Sequence, residues 1–231
     1  MSRRDYAFGV VAGMLIGFLA LPVLDALGPA AFSRFAFVTV PVVFLVTALA
    51  LVIVFSLSRK FPVLWQIGKF AVIGVMNMLV DWGVLTSLIL LVRSHFGNGP
   101  DDFIIAGITF YSLFKASSFI IANINSYYWN KYWTFGPGAM KKTKTEFLQF
   151  FAVSTVGFVT NVFIASFVFG SVRPVHGLNR DQWGILGAAV GSAAGLIWNF
   201  LGYKFIVFKG RKPRSAEPQP VGAAKRSTHV P

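Results

Sequence analysis

Two apolar segments of membrane length, each carrying one charge in its interior, most restrict what this chain can become. From Lys69 to Phe135 the sequence runs through FAVIGVMNMLVDWGVLTSLILLV, a short polar loop, and a second apolar segment ending in NKYWTF. About 20 apolar residues span a bilayer core, and both segments are at least that long, so the unit predicts a transmembrane helical hairpin. Asp81 lies eleven residues beyond Phe70 and Lys115 twelve beyond Phe103. At 1.5 Å rise per residue this sets each about 17 to 18 Å into its helix, near the middle of a bilayer. An unpaired charge there costs about 2.5 to 3.5 kcal/mol, so the acid and the base are expected to face each other or a shared wet cavity.

Composition agrees with a membrane protein and removes several chemistries. Hydrophobic residues make up 55% and charged ones 13% of the 231 residues, and the mean hydropathy of +0.67 is too high for a soluble domain of this size. The absence of cysteine excludes disulfides and thiolate ligands, and His95, His176 and His229 fall in loops or the tail without ligand spacing. No metal and no cofactor are expected. A formal charge of +13 would suit a nucleic-acid binder if the bases clustered on a soluble fold. Here they flank apolar spans and report topology, so no nucleic-acid partner is expected.

The chain opens with SRRD and an apolar run from Tyr6 to about Ala31, interrupted by Pro22, Asp25 and Pro29. Its length, and the second apolar span from Ala36 to Leu57, favour a first helix over a cleaved secretory signal. The junction formed by Arg59, Lys60, Pro62, Trp65 and Lys69 is basic and aromatic, as at a membrane interface. It separates an N-terminal two-helix segment (residues 1–64) from a core (65–210). Within the core, helix three is expected over Phe70 to about Val92, helix four over Phe103 to about Trp129, helix five over Phe147 to about Val172, and helix six over about Gly184 to Phe208. The basic tail at 211–231 has too little apolar content to fold alone and is expected to be disordered. If the N-terminus is cytoplasmic, the outer loops hold only Arg34, Arg93, Arg173 and Arg180, and the remaining lysines and arginines outside the spans are inside. This asymmetry predicts a multi-pass protein of the cytoplasmic (inner) membrane with both termini cytoplasmic.

The core also repeats itself. Phe-Ala-Val at 70–72 recurs at 151–153, followed by Asn77 in one copy and, about a turn later, Asn161 in the other. NKYWTF (130–135) aligns without gaps on YKFIVF (203–208), setting Lys131 opposite Lys204 and Phe135 opposite Phe208. Each unit holds two spans, so both enter from the same side and the repeats are parallel. The predicted fold is an all-α integral membrane protein of six transmembrane helices: a four-helix core of two parallel-repeat hairpins plus an extra N-terminal helix pair. Asp81 and Lys115 have no counterpart in the second copy by this alignment. Gly184, Gly187, Gly191 and Gly195 place small residues on one face of helix six, which reads as a packing seam rather than a hinge. Tyr127, Tyr128, Trp129, Tyr132 and Trp133 read as an interfacial belt before they read as a stacking surface for sugar rings.

Phe-Ala-Val-Ile-Gly, Asn77 with Asp81 one turn on, Ser118-Phe119, Asn125, the NKYWTF ending, and in the second half Phe151-Ala152-Val153, Asn161, Asn199-Phe200 and Lys204 to Phe208 together resemble the GtrA-like family of small membrane proteins. The resemblance covers about residues 65 to 210. Members usually have four helices, so the N-terminal pair is a departure from the family. The resemblance implies a part in making or modifying cell-surface polysaccharide, by moving a polyprenyl-phosphate-linked sugar across the membrane. Related domains fused to polyprenyl-phosphate glycosyltransferases support a lipid-linked sugar as substrate and leave a second reading, a non-transporting anchor for such an enzyme.

A lipid-linked sugar has a tail at home in hydrocarbon and a polar, anionic head that is not, so a carrier needs a polar path bounded by helices. The positions expected to meet it are Asn77, Asp81, Lys115, Asn125, Asn130, Lys131, Asn161, Asn199 and Lys204, with Ser117, Ser118, Asn123 and Ser126 as further polar lining. The plainer reading of the amides and hydroxyls is helix–helix hydrogen bonding. For Asp81 and Lys115 it is a structural ion pair, and for Lys131 and Lys204 snorkelling to the interface in place of collecting the phosphate. Asp5, Glu146 and Glu217, the acids expected on the cytoplasmic side, are too widely separated to suggest a catalytic carboxylate cluster, so no enzyme is expected. The implied partners are the polyprenyl-phosphate-linked sugar, membrane lipid and a membrane glycosyltransferase, and a homo-oligomer is compatible with the pattern.

Overall fold

Apolar runs as long as these can satisfy their backbone in hydrocarbon only as helices, and helices make up almost the whole of the computed structural model. It describes residues 2–209 apart from 27–28, 98, 100, 106–107, 137–142, 175–176 and 178–179. The expected tail therefore lies outside the described residues. The helices are α1 (Arg3–Ala26), α2 (Pro29–Ser58), α3 (Val63–Phe96), α4 (Phe110–Trp129), α5 (Thr143–Ser171) and α6 (Arg180–Gly202). All but α4 are long and apolar enough to cross a membrane by themselves. The outer surface is correspondingly greasy: Phe37 is 91% exposed, and Leu45, Leu49, Leu90, Phe163 and Phe167 also point outward. This inverted pattern makes the chain a multi-pass membrane protein.

Successive helices run antiparallel, and contacts between them show the order. α1 packs on α2 through Gly9, Gly13 and Gly17; a Cβ on Gly17 would meet the Val40 Cα at 2.9 Å. The pair then docks on α3, where Ala12, Leu51, Trp65, Ile73 and Trp133 form one buried cluster. At its start Ser2 and Asp5 cap α1 reciprocally, Asp5 N donating to Ser2 Oγ at 3.1 Å and Ser2 Oγ to Asp5 Oδ2 at 2.8 Å. Asp5 is also 3.4 Å from Lys69 Nζ, which donates to the Trp133 carbonyl at 2.8 Å. Lys69 is thus a buried strut between α1, α3 and the end of α4.

The start of helix four departs from expectation. Phe103–Ile105 (β1) pairs antiparallel with Ile108–Thr109 (β2), Phe103 opposite Thr109, in place of the first two helical turns. Isoleucine and threonine favour the extended chain, and the Thr109 side chain accepts from Ser112 N at 3.2 Å, capping a helix that begins at Phe110. Lys115 consequently sits in the second turn of α4 and not twelve residues into it.

Each hairpin of the core ends in a π-helical turn, Asn130–Thr134 after α4 and Tyr203–Val207 after α6. The closing bonds are equivalent: Phe135 N donates to the Asn130 carbonyl at 2.9 Å, and Phe208 N to the Tyr203 carbonyl at 2.8 Å. The two phenylalanines stack on each other, centroids 4.9 Å apart. Around them Phe70, Tyr127, Phe150, Tyr203 and Val207 fill the interface between the hairpins. This end is the base of the core.

Contacts across that interface give the register of the repeat. Phe70 meets Phe200 with centroids 5.5 Å apart, and Phe150 meets Tyr127 at the same 5.5 Å. Equivalent positions are therefore 80 residues apart between α3 and α5 (70 to 150) and 73 apart between α4 and α6 (127 to 200). The second agrees with the aligned endings. The first moves the match by one residue from the recurring Phe-Ala-Val, and it sets Asn161 in the place of Asp81. Contacts within the hairpins agree, since Asp81 meets Ser118 in one and Asn161 meets Gly191, the equivalent of Ser118, in the other.

Candidate functional site

A cavity of about 480 Å³ lies between the two hairpins on this pseudo-twofold axis. Equivalent positions line it from both sides: Gly74 is matched by Ser154, Asn77 by Gly157, Asn123 by Leu196, Ser126 by Asn199 and Asn130 by Tyr203. The shape is shared but the chemistry is exchanged, because where one hairpin offers an amide the other has a smaller, apolar or hydroxyl group. The aromatic cluster at the base closes its lower end, with Phe70 and Tyr203 belonging to both.

The amides are placed by close helix approach. α6 lies against α5 along its glycines, and a Cβ on Gly195 would sit 2.9 Å from the Gly157 carbonyl. Gly187 and Gly191 abut the Ala165 and Asn161 carbonyls in the same way, so the glycine series is a packing seam. Gly157 in turn leaves room for the Asn199 carboxamide to lie against α5. Oδ1 of Asn77, Asn130 and Asn199 is buried with no hydrogen-bond partner among the described residues. Such an atom costs about 1 to 3 kcal/mol when left unbonded, so each of these oxygens can accept from a donor that enters the cavity. Asn130 is fully buried and its Nδ2 donates to the Ser126 carbonyl at 2.9 Å, which holds the free oxygen in one position. At the floor, the Tyr203 hydroxyl and Ser154 Oγ share a 2.6 Å hydrogen bond.

Of the residues singled out from sequence, Asn77, Asn130, Asn161 and Asn199 come together here, with Asn123 and Ser126. The others lie elsewhere. Asp81 forms an ion pair with Lys115 and accepts from Ser118 Oγ at 2.6 Å, one turn beyond the Asn77 level of α3. Asn125 does not line the cavity; it shares a face of α4 with Ser118 and Trp129, and its Nδ2 is buried without a partner. Lys131 is 2.9 Å from Glu146 Oε1 and donates to the Tyr127 hydroxyl at 2.8 Å. Lys204 sits at the base over the rings of Phe200 and Phe205, each 5.6 Å away.

Sequence reasoning missed Tyr203, Ser154 and Ser192. Tyr203 was reachable, since it aligns with Asn130 in the matched endings. Ser154 and Ser192 carry no signal of their own on apolar spans. Glu146, expected on the cytoplasmic side, is 1% exposed, and nothing in its sequence neighbourhood signals that burial.

The comparisons with known proteins bear on the same segment. The family model described as the GtrA/DPMS transmembrane domain matches residues 69–208. The chain belongs to this family. No curated protein and no solved structure matches it. The GtrA/DPMS segment begins at the strut lysine, Lys69, and ends at Phe208, the second of the stacked phenylalanines, so the family unit is the pair of hairpins with their cavity. α1 and α2 lie outside it.

Proposed function

We propose that this GtrA/DPMS protein carries a polyprenyl-phosphate-linked sugar from one leaflet of the membrane to the other, for cell-surface polysaccharide or glycan modification. One observation carries the reading: a cavity of about 480 Å³ among membrane-spanning helices, lined with carboxamides, of which Asn77, Asn130 and Asn199 each hold a buried oxygen without a partner among the described residues. Its volume is that of a small-molecule site, about 300 to 1,000 Å³. Amides that can both donate and accept suit the hydroxyls of a sugar, and the surrounding apolar helices suit the prenyl chain. An asymmetric set of polar groups on a symmetric frame fits one asymmetric headgroup on the axis.

On this reading the base faces the cytoplasmic side of the inner membrane and both termini are cytoplasmic, an orientation that the lysine and arginine asymmetry supports. The sugar then enters from the leaflet nearest the aromatic cluster. A carrier also suits how the acids are used. Asp5 meets Lys69, Asp81 meets Lys115 and Glu146 meets Lys131, each as the counterion of a lysine at a separate place in the fold.

Reconstitution into liposomes with a fluorescent short-chain polyprenyl-phosphate sugar tests the proposal. The protein is expected to speed exchange between leaflets, and Asn161→Leu and Asn199→Leu each to slow it about tenfold or more at unchanged melting temperature. Exchange no faster than in empty liposomes would defeat transport and leave the anchor for a glycosyltransferase. Full activity in both leucine variants would remove the cavity from the path.

A further inference from the structure

The two hairpins end with the same lysine in the same π-helical turn, yet their electrostatic surroundings are opposite. Around Lys131 the charge is neutralised inside the bundle: the ammonium lies 2.9 Å from Glu146 Oε1 and 2.8 Å from the Tyr127 hydroxyl, which itself donates to Glu146 at 2.8 Å. The register that matches Lys131 with Lys204 matches Tyr127 with Phe200 and Glu146 with Gln66. Both groups that hold Lys131 are therefore replaced, a phenol by a phenyl ring and a carboxylate by a buried neutral amide. Among the described residues Lys204 meets no acid and rests over Phe200 and Phe205. Ring faces steady an ammonium without cancelling its charge, so Lys204 keeps it for an anion.

The position of that charge indicates the anion. Lys204 follows Tyr203 directly, and both Tyr203 and Asn199 line the cavity. A lysine at the end of a membrane-spanning helix reaches the depth of lipid phosphate. It offers three donors as a compact point charge, which suits phosphate oxygens. We infer that Lys204, and not Lys131, receives the phosphate of the lipid whose sugar occupies the cavity. Repetition supplied two lysines; the acid on α5 withdrew one of them into the fold and left the other for the ligand. This rests on the proposed function and goes further, because it gives the phosphate to one hairpin.

Binding to the purified full-length protein tests it, with polyprenyl phosphate as the probe and polyprenol and inorganic phosphate as comparisons. The wild type is expected to prefer polyprenyl phosphate to polyprenol. Lys204→Gln should weaken polyprenyl phosphate about tenfold or more while leaving polyprenol unaffected. Gln66→Glu, which rebuilds around Lys204 the acid that Lys131 has, should weaken it similarly without touching the lysine. Lys131→Gln combined with Glu146→Gln removes the neutralised pair as a unit and should leave affinity unchanged. An undiminished affinity in Lys204→Gln, or an equal loss in the double variant, overturns the assignment. Displacement by equimolar inorganic phosphate would make this a site for free phosphate and overturn it for the lipid. A wild type with no preference for polyprenyl phosphate over polyprenol would instead defeat the proposed function, and this inference with it.

Discussion

Asp81 shows how one residue can be structural in one repeat and replaceable in the other. Its carboxylate holds Lys115 and Ser118, while the equivalent Asn161 is neutral and lines the cavity. The Lys115 side chain is 42% exposed, so the pair is worth less than a fully buried one. Asp81→Asn should still strand a lysine among apolar helices and lower stability by about 1 to 2 kcal/mol, with Asp81→Asn/Lys115→Met recovering most of the loss. Thermal unfolding in detergent checks this, and a double variant no more stable than the single would contradict it. The pairing was legible because two lone charges on consecutive spans have few other partners. The level assigned to Lys115 was not, because Phe103–Ile105 and Ile108–Thr109 are as apolar as a helix and only the Thr109 cap ends the run.

At the scale of elements, hairpin two depends on how closely α6 approaches α5. Valine at Gly195 would press on the Gly157 carbonyl, whereas Gly170 has nothing within 4 Å of an added Cβ. Gly195→Val should therefore destabilise the protein by about 2 kcal/mol or more, and Gly170→Val should be silent. Equal melting temperatures for the two variants would contradict the seam. The glycine spacing gave this face away in the sequence, and hydropathy made five of the helices legible as spans, all but α4. The π-helical turns were not, since an i→i+5 bond leaves no compositional trace. Their alignment showed only as NKYWTF against YKFIVF. The register of α3 on α5 was misread by one residue for a physical reason: Phe150 and Phe151 are adjacent, and only packing against Tyr127 decides which matches Phe70.

The whole molecule is a pseudo-twofold pair of hairpins with the N-terminal helices packed on the first. Asn77, Asn130, Asn161 and Asn199 were each visible as amides on apolar spans, but that they face one cavity while Asn125 does not is a property of the bundle. Orientation is open to direct test because the chain has no native cysteine. Gly177→Cys should react with an impermeant thiol reagent on intact cells and Gly138→Cys should not; the reverse pattern would invert the proposed topology. The central claim, that the sugar of a lipid-linked phosphate sits between the hairpins, is tested most directly by photo-crosslinking. A polyprenyl-phosphate sugar with a diazirine on the sugar ring should label peptides of α3, α5 and α6 that contain Asn77, Asn161 and Asn199, with excess unlabelled lipid suppressing the reaction. Labelling confined to α1, α2 or the lipid-facing surface would contradict it.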